Sequence, residues 1–282
     1  MKLRNKNWIK VFLLLFKNTL SSFKTYVYVY LFSSILCFLL IYIWLNYSLY
    51  ILLPPQLISF LALPFIIAPL YVSLNLIEWK KRNYLIKINF GLITKINLLI
   101  SLILISLILA TSSFIINLFL NWILTISHVF QYNYVLLGNI EAIIWLFVIL
   151  NLIFETIFIS CLFFALTSMT SKTVINILII LSLFIFMITT SGLIIPPHSL
   201  SGNVVYESLG YINPFKYFNW TNLLFSSYQF VDKYGITQIL PDYKEGDWIS
   251  FKGIYITIPF EIVFVVSAFY FYKYYFRIGV KK

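Results

Sequence analysis

Charge is scarce in this sequence, and negative charge is scarcest: among 282 residues there are nine Asp and Glu, and all charged residues together make up only 10%. Soluble domains usually carry about 25%. With 61% apolar residues and a mean hydropathy of +0.94, the chain has too little polar surface to cover a water-soluble body of its size. Cysteine is almost absent. Cys37 and Cys161 both fall inside apolar stretches, which excludes a disulfide framework or a cysteine-rich metal site and leaves them as packing residues. Histidine occurs twice, at His128 and His198, in no HExxH pattern and at no metal spacing with a cysteine. None of the nine glycines is followed by lysine, so the P-loop pattern GxxxxGK[ST] cannot occur and no ATPase site of that type is available. A GxSxG element is missing too, as is any intramembrane pairing of nucleophile and base suited to proteolysis.

What the sequence does have is apolar length. Six stretches are free or nearly free of charge, at residues 26–46, 57–77, 96–120, 142–167, 173–195 and 254–272. Each can cross a hydrocarbon layer of about 30 Å at about 1.5 Å per residue. They predict an all-α polytopic membrane protein, with six transmembrane helices in residues 26–282 and a separate amino-terminal segment in residues 1–25.

The basic residues sort by loop. Lys2, Arg4, Lys6, Lys10, Lys17 and Lys24 precede the first stretch, Lys80, Lys81, Arg82, Lys87 and Lys95 lie between the second and third, Lys172 lies between the fourth and fifth, and Lys273, Arg277, Lys281 and Lys282 follow the sixth. The opposite side holds Lys216, Lys233, Lys244 and Lys252 with most of the acids. The positive-inside rule then predicts a multi-pass protein of the cell membrane with both termini cytoplasmic. A net charge of +11 reads as topology and contact with anionic membrane lipid, and calls for no nucleic-acid partner. A signal peptide is not expected, because the first apolar core starts late and no small-residue cleavage site follows it.

Before the first span, Lys6, Lys10, Lys17 and Lys24 fall within about 40° of one another on a helical wheel, while Trp8, Val11, Phe12, Leu15, Phe16 and Phe23 lie largely elsewhere. That pattern fits an amphipathic helix in the cytoplasmic interface, or a basic extension of the first span. Pro64 and Pro69 remove backbone donors from the second span and predict a kink there. Residues 78–95 mix charge with apolar side chains and read as a short cytoplasmic helix, helical hairpin or solvated loop.

Polar residues also occur inside the spans. Ser113, Asn117 and Asn121 share one helix face, as do Asn151 and Glu155, and such faces turn toward protein or water rather than lipid. Asn117, Asn121, Asn151 and Glu155 are candidates for a translocation path. Glu155 reads equally as part of a proton or cation route and as a hydrogen-bonded acid joining helices. Glu261, soon after Pro259, is expected to complement the amino-terminal end of the sixth helix. In the long external stretch 196–253, two apolar pieces flank Asn213-Pro214 and predict an outer re-entrant helical hairpin over about residues 203–227.

Around that turn, residues 190–220 read TSGLIIPPHSLSGNVVYESLGYINPFKYFNW. This resembles the carboxy-terminal signature of ABC-2 type permeases: a Ser-Gly pair closing the fifth span, one or two prolines, then a hairpin with an apolar-Asn-Pro-apolar turn and an aromatic. The matching positions are Ser191 and Gly192, Pro196 and Pro197, Asn213 and Pro214, and Tyr217. The order of interfacial helix, six spans and a helical connection after the second span is similar to the family's over nearly the whole chain.

The resemblance implies the membrane subunit of an ATP-binding cassette exporter, an ABC transporter that binds no cofactor itself. ATP and Mg would sit on separate P-loop ATPase subunits, and the permease would form a homodimer or a heterodimer with a sister permease. Glu78, Lys80, Lys81, Arg82, Lys87 and Lys95, with Lys10 and Lys17 of the amino-terminal helix, would form the ATPase-coupling surface, and the outer hairpin would gate the path. An amphiphile, peptide, drug or lipid-linked molecule would suit as substrate. Two other readings stand beside it: an ion-coupled secondary transporter using Glu155, and a non-transporting membrane scaffold or immunity protein.

Overall fold

The computed structural model of the chain describes residues 2–47, 53–85, 94–127, 135–138, 140–194, 204–228, 239, 250–251 and 253–278, and every regular element among them is helical. Helix α1 (Lys2–Leu20) is followed by a short α2 (Phe23–Thr25), which runs through a π-helical stretch, Tyr26–Leu31, into α3 (Phe32–Tyr47). Then come α4 (Pro54–Leu61), α5 (Pro64–Lys81), α6 (Lys95–Ile126), the single turn α7 (Val135–Gly138), α8 (Ala142–Leu166) and α9 (Thr173–Thr189). The last three are α10 (Val204–Ile212), α11 (Pro214–Ser226) and α12 (Ile254–Tyr275).

Among the described residues, five helical runs are long and apolar enough to cross a membrane: Phe23–Leu45, Pro54–Lys81, Lys95–Ile126, Ala142–Leu166 and Ile254–Tyr275. Helix α9 is just as apolar in character but has only 17 residues. It ends short of the sequence expectation because Thr190, Ser191 and Gly192 turn the chain, with Gly192 in the left-handed region at φ 81°. There L side chains with a Cβ are strained, which is why a glycine closes the turn.

Proline shapes the second span as expected. The run breaks at Ala62-Leu63, and Pro64 heads α5, where its missing N–H costs nothing. Pro69 lies inside α5 and cannot bond the Phe65 carbonyl; Thr156 Oγ1 on α8 stands 3.5 Å from that oxygen. The last helix departs from expectation. It begins at Ile254, so Pro259 is interior and Glu261 lies beyond the first turn instead of complementing the helix end.

The bundle is built around α5. Buried residues make up 94% of the most apolar stretch of Pro54–Lys81 but only 17% of that of Ile254–Tyr275, so the second span is central and the last is peripheral. Helix α5 packs against α6, α8, α9 and the π-helical stretch, while α8 also packs on α12 and α11. Lipid tails are as apolar as leucine, so these helices are held by close packing and hydrogen bonds rather than by expulsion of water. Phe158 stacks on Phe218 with ring centres 5.2 Å apart, and Phe65 meets Phe114 edge-on at 5.7 Å. The outward face of α12 carries Ile262, Val263, Val266 and Tyr270, all exposed, as a lipid-facing helix requires.

Candidate functional site

Three groups of polar residues stand out against this apolar frame. The first gathers at one end of the bundle. Lys24 Nζ lies 3.4 Å from Glu78 Oε2, and Arg82 Nη2 lies 2.6 Å from Glu78 Oε1, so the end of the second span is tied to the segment that enters the first. Thr25 Oγ1 reinforces that joint through Tyr71 Oη at 2.8 Å. Lys10, Lys17, Lys81, Arg82 and Lys95 are exposed. Lys87 lies outside the described residues.

Lys80 departs from its expected place on this surface. Only 5% exposed, its ammonium donates to Thr167 Oγ1 at 2.9 Å and to Ser168 Oγ, and it sits 4.2 Å from the centre of the Phe276 ring. Ser168 Oγ in turn contacts the Arg277 backbone, and Tyr272 Oη donates to the Lys95 carbonyl at 3.1 Å. The ends of α5, α8 and α12 and the start of α6 are thus laced together on the basic end. Sequence reasoning missed this. The available signal was that Lys80 follows both Leu76 and Ile77 at i+4 and i+3, whereas Lys81 follows only Ile77 at such a spacing and Arg82 neither.

The second group is the seam between the first and third spans. Tyr30 Oη pairs with Ser112 Oγ at 2.9 Å, Ser113 Oγ donates to the Val29 carbonyl at 2.9 Å, and Ser34 Oγ donates to Asn117 Oδ1 at 2.7 Å. Asn117 and Asn121 are fully buried against protein. Within one chain Asn117 thereby joins the two helices.

The third group lies where α8, α11 and α12 meet. Asn151 Nδ2 donates to the Phe218 carbonyl and to Asn222 Oδ1, each at 2.9 Å. Thr221 Oγ1 contacts Glu261 Oε1 and Thr257 Oγ1, the latter at 2.7 Å. Glu155, 3% exposed, is within electrostatic reach of the Glu261 carboxyl. Asn151 and Glu155 therefore join one buried cluster, while Asn117 and Asn121 belong to a different seam. Sequence reasoning did not foresee that helix α11 supplies Asn219, Thr221 and Asn222 to this interior.

The residues around the Asn213-Pro214 turn do come together. Asn213 caps α11 by accepting from the Phe215 N–H at 3.0 Å, and its Nδ2 donates to the Met187 carbonyl at 2.8 Å and Thr190 Oγ1 at 2.9 Å. Pro214 occupies the first turn of α11. Ser191 Oγ bonds back to the Ile188 carbonyl at 2.9 Å, and its own carbonyl accepts from Asn219 Nδ2 at 3.4 Å. Tyr217 Oη donates to the Tyr211 carbonyl at 3.1 Å, while its ring packs on Phe251, Phe260 and Phe264. Pro196 and Pro197 lie outside the described residues. Lys216, 4% exposed, stands over the Tyr211 ring. Burial pushes its ammonium down from 10.5 to about 8, with Glu207 opposing the shift.

Helix lengths, apolar outer faces and buried polar seams define an all-helical, multi-pass membrane protein. Beyond that class, no family model matches the chain, and neither a curated protein nor a solved structure matches it.

Proposed function

We propose that this chain is the membrane subunit of an ABC-2 type exporter, driven by separate P-loop ATPase subunits and paired with itself or a sister permease. The observation that carries the reading is the Lys24–Glu78–Arg82 joint. It ties the end of the second span, which the resemblance assigns to ATPase contact, to the short segment that follows the amino-terminal helix. On this reading α9 is the fifth of six spans, at roughly 25 Å of helix with the following turn completing the crossing. Helices α10 and α11 form the re-entrant hairpin on the far side, and the basic end faces the cytoplasm.

Force enters at Lys81, Arg82 and the exposed lysines of α1. It passes along the buried α5 and through the Lys80 tether to α8 and α12. ATP drives the change only through its different affinity for the two arrangements of the complex, so contact residues govern turnover more than assembly. Charge reversal of Lys81 and Arg82 to Glu is expected to abolish substrate-stimulated ATPase activity in a reconstituted complex while the permease still purifies as a folded assembly. Unchanged stimulation would remove the contact surface from the proposal. Failure of any P-loop ATPase encoded beside this chain to co-purify with it would remove the exporter reading altogether.

A second reading has its own observation, the buried Glu155 beside Glu261: an ion-coupled carrier that moves a proton or cation through this cluster.

A further inference from the structure

The basic end holds a cleft of about 500 Å³ between the start of the first span and the end of the second. Asn18 and Ser22 line it from the amino-terminal segment, Lys24 from α2, and Asn75, Glu78 and Trp79 from α5, with Arg82 and Tyr84 just beyond. Its size alone says little. Its chemistry says more, because basic and amide side chains line it together. Asn75 is 9% exposed, lines the cleft and has no side-chain hydrogen-bond partner among the described residues. As a lining residue its amide can donate to a bound group as well as to water. Asn18 and Ser22 add further polar groups to the lining.

Lys24 and Arg82 approach from two different elements and converge on Glu78. Their side chains are 60% and 73% exposed, so these pairings are loose and an incoming anion can take both cations at small loss. The arginine fork matches two oxygens of a phosphate group, and the lysine adds a point charge. We propose that this cleft binds a phosphate-bearing anion, and that in the membrane the anion is the headgroup of an acidic phospholipid. The lipid source follows from depth and from the remaining walls. The cleft opens where two spans reach the same interface, and the rings of Trp79 and Tyr84, 6.3 Å apart, flank it as such rings do at headgroup level. Basic pockets between helix ends on this kind of surface take acidic headgroups. A bound phosphate draws Lys24 and Arg82 off Glu78 and so loosens the joint between the first two spans. The site itself stands independently of what the chain transports.

The test is phospholipid retention by the delipidated full-length protein, read by native mass spectrometry during titration with phosphatidylglycerol or phosphatidylcholine. Phosphatidylglycerol is expected to bind with a preference of at least about fivefold. Lys24→Gln combined with Arg82→Gln should weaken it by roughly tenfold, and Asn75→Leu by about threefold, without changing phosphatidylcholine. Lys172→Gln combined with Lys273→Gln removes the same charge from exposed positions away from the cleft and should change binding by less than about twofold. Equal loss in the two double variants, or no preference between the lipids, overturns the site. Should millimolar inorganic phosphate displace phosphatidylglycerol and itself depend on Lys24 and Arg82, the anion is a free phosphate and the lipid assignment fails. Lys24→Gln alone, a single change at a side chain 60% exposed, provides the same comparison if the double variant does not fold.

Discussion

At the scale of single residues, the cost of burying a polar group decides what each one does. Lys216 is buried with its ammonium held near 8, below the ordinary lysine value of about 10.4. Between those two values the unfolded chain binds more protons than the folded one, so stability rises with pH over that window. Below about pH 8 the full penalty of the buried charge is present. The thermal unfolding midpoint in detergent is therefore expected to climb between pH 7.5 and pH 9.5 more steeply in the wild type than in Lys216→Met, and parallel curves for the two proteins would contradict it. Asn151 presents the converse case, a buried amide that donates to the Phe218 carbonyl and to Asn222 Oδ1. Asn151→Leu strands Asn222 Oδ1 and should cost about 1–2 kcal/mol, a lowering of the midpoint by a few degrees. Adding Asn222→Leu removes the stranded acceptor, so the double variant should be less destabilised than the sum of the singles. Strict additivity would deny the contact.

At the scale of elements, legibility in the sequence followed the periodicity and punctuation of each segment. Long apolar runs located the helices at residues 142–166 and 254–275 almost to the residue, because nothing but hydrocarbon thickness sets their length. Pro64 marked a real interruption, since a missing donor is a property of one residue, whereas the turn at Gly192 fell inside the apolar stretch read as the fifth span. Partnerships between helices were not legible. That the Asn117 face meets Ser34, or that Thr221 finds Glu261, depends on which faces abut, and one sequence does not encode that locally. Lys80 shows the consequence: a charge in a basic run looked like surface and proved to be a tether. Its partners retain other bonds, Thr167 Oγ1 to the Phe164 carbonyl at 2.7 Å and Ser168 Oγ to the Arg277 backbone, so Lys80→Met strands no acceptor. The variant should keep its thermal stability to within a few degrees and yet lose most substrate-stimulated ATPase activity in the complex. A large loss of stability with coupling retained would make Lys80 a folding residue only.

At the scale of the whole molecule, the polar seams fasten some helices to one another more than to the rest of the bundle. The first span is joined to the third, the second is buried at the centre, and α8 and α12 are joined to each other through α11. A machine driven from its basic end would shift these groups against one another, with the Glu155–Glu261 cluster serving as a fastening inside one group. A carrier driven by an ion gradient would instead need that cluster to bind and release its ion in every cycle. The two schemes make opposite demands on one atom. Glu155→Gln preserves shape and hydrogen-bonding capacity while removing ionisation, so a fastening survives it and an ion site does not. In proteoliposomes holding the permease with its ATPase, the exporter reading expects Glu155→Gln to keep nucleotide-dependent transport within about threefold of wild type, because a neutral side chain of the same shape fills the same buried position. Transport that ignores ATP, follows an imposed proton gradient and disappears in Glu155→Gln would make the chain a carrier, with α11 as the element that the bound ion moves.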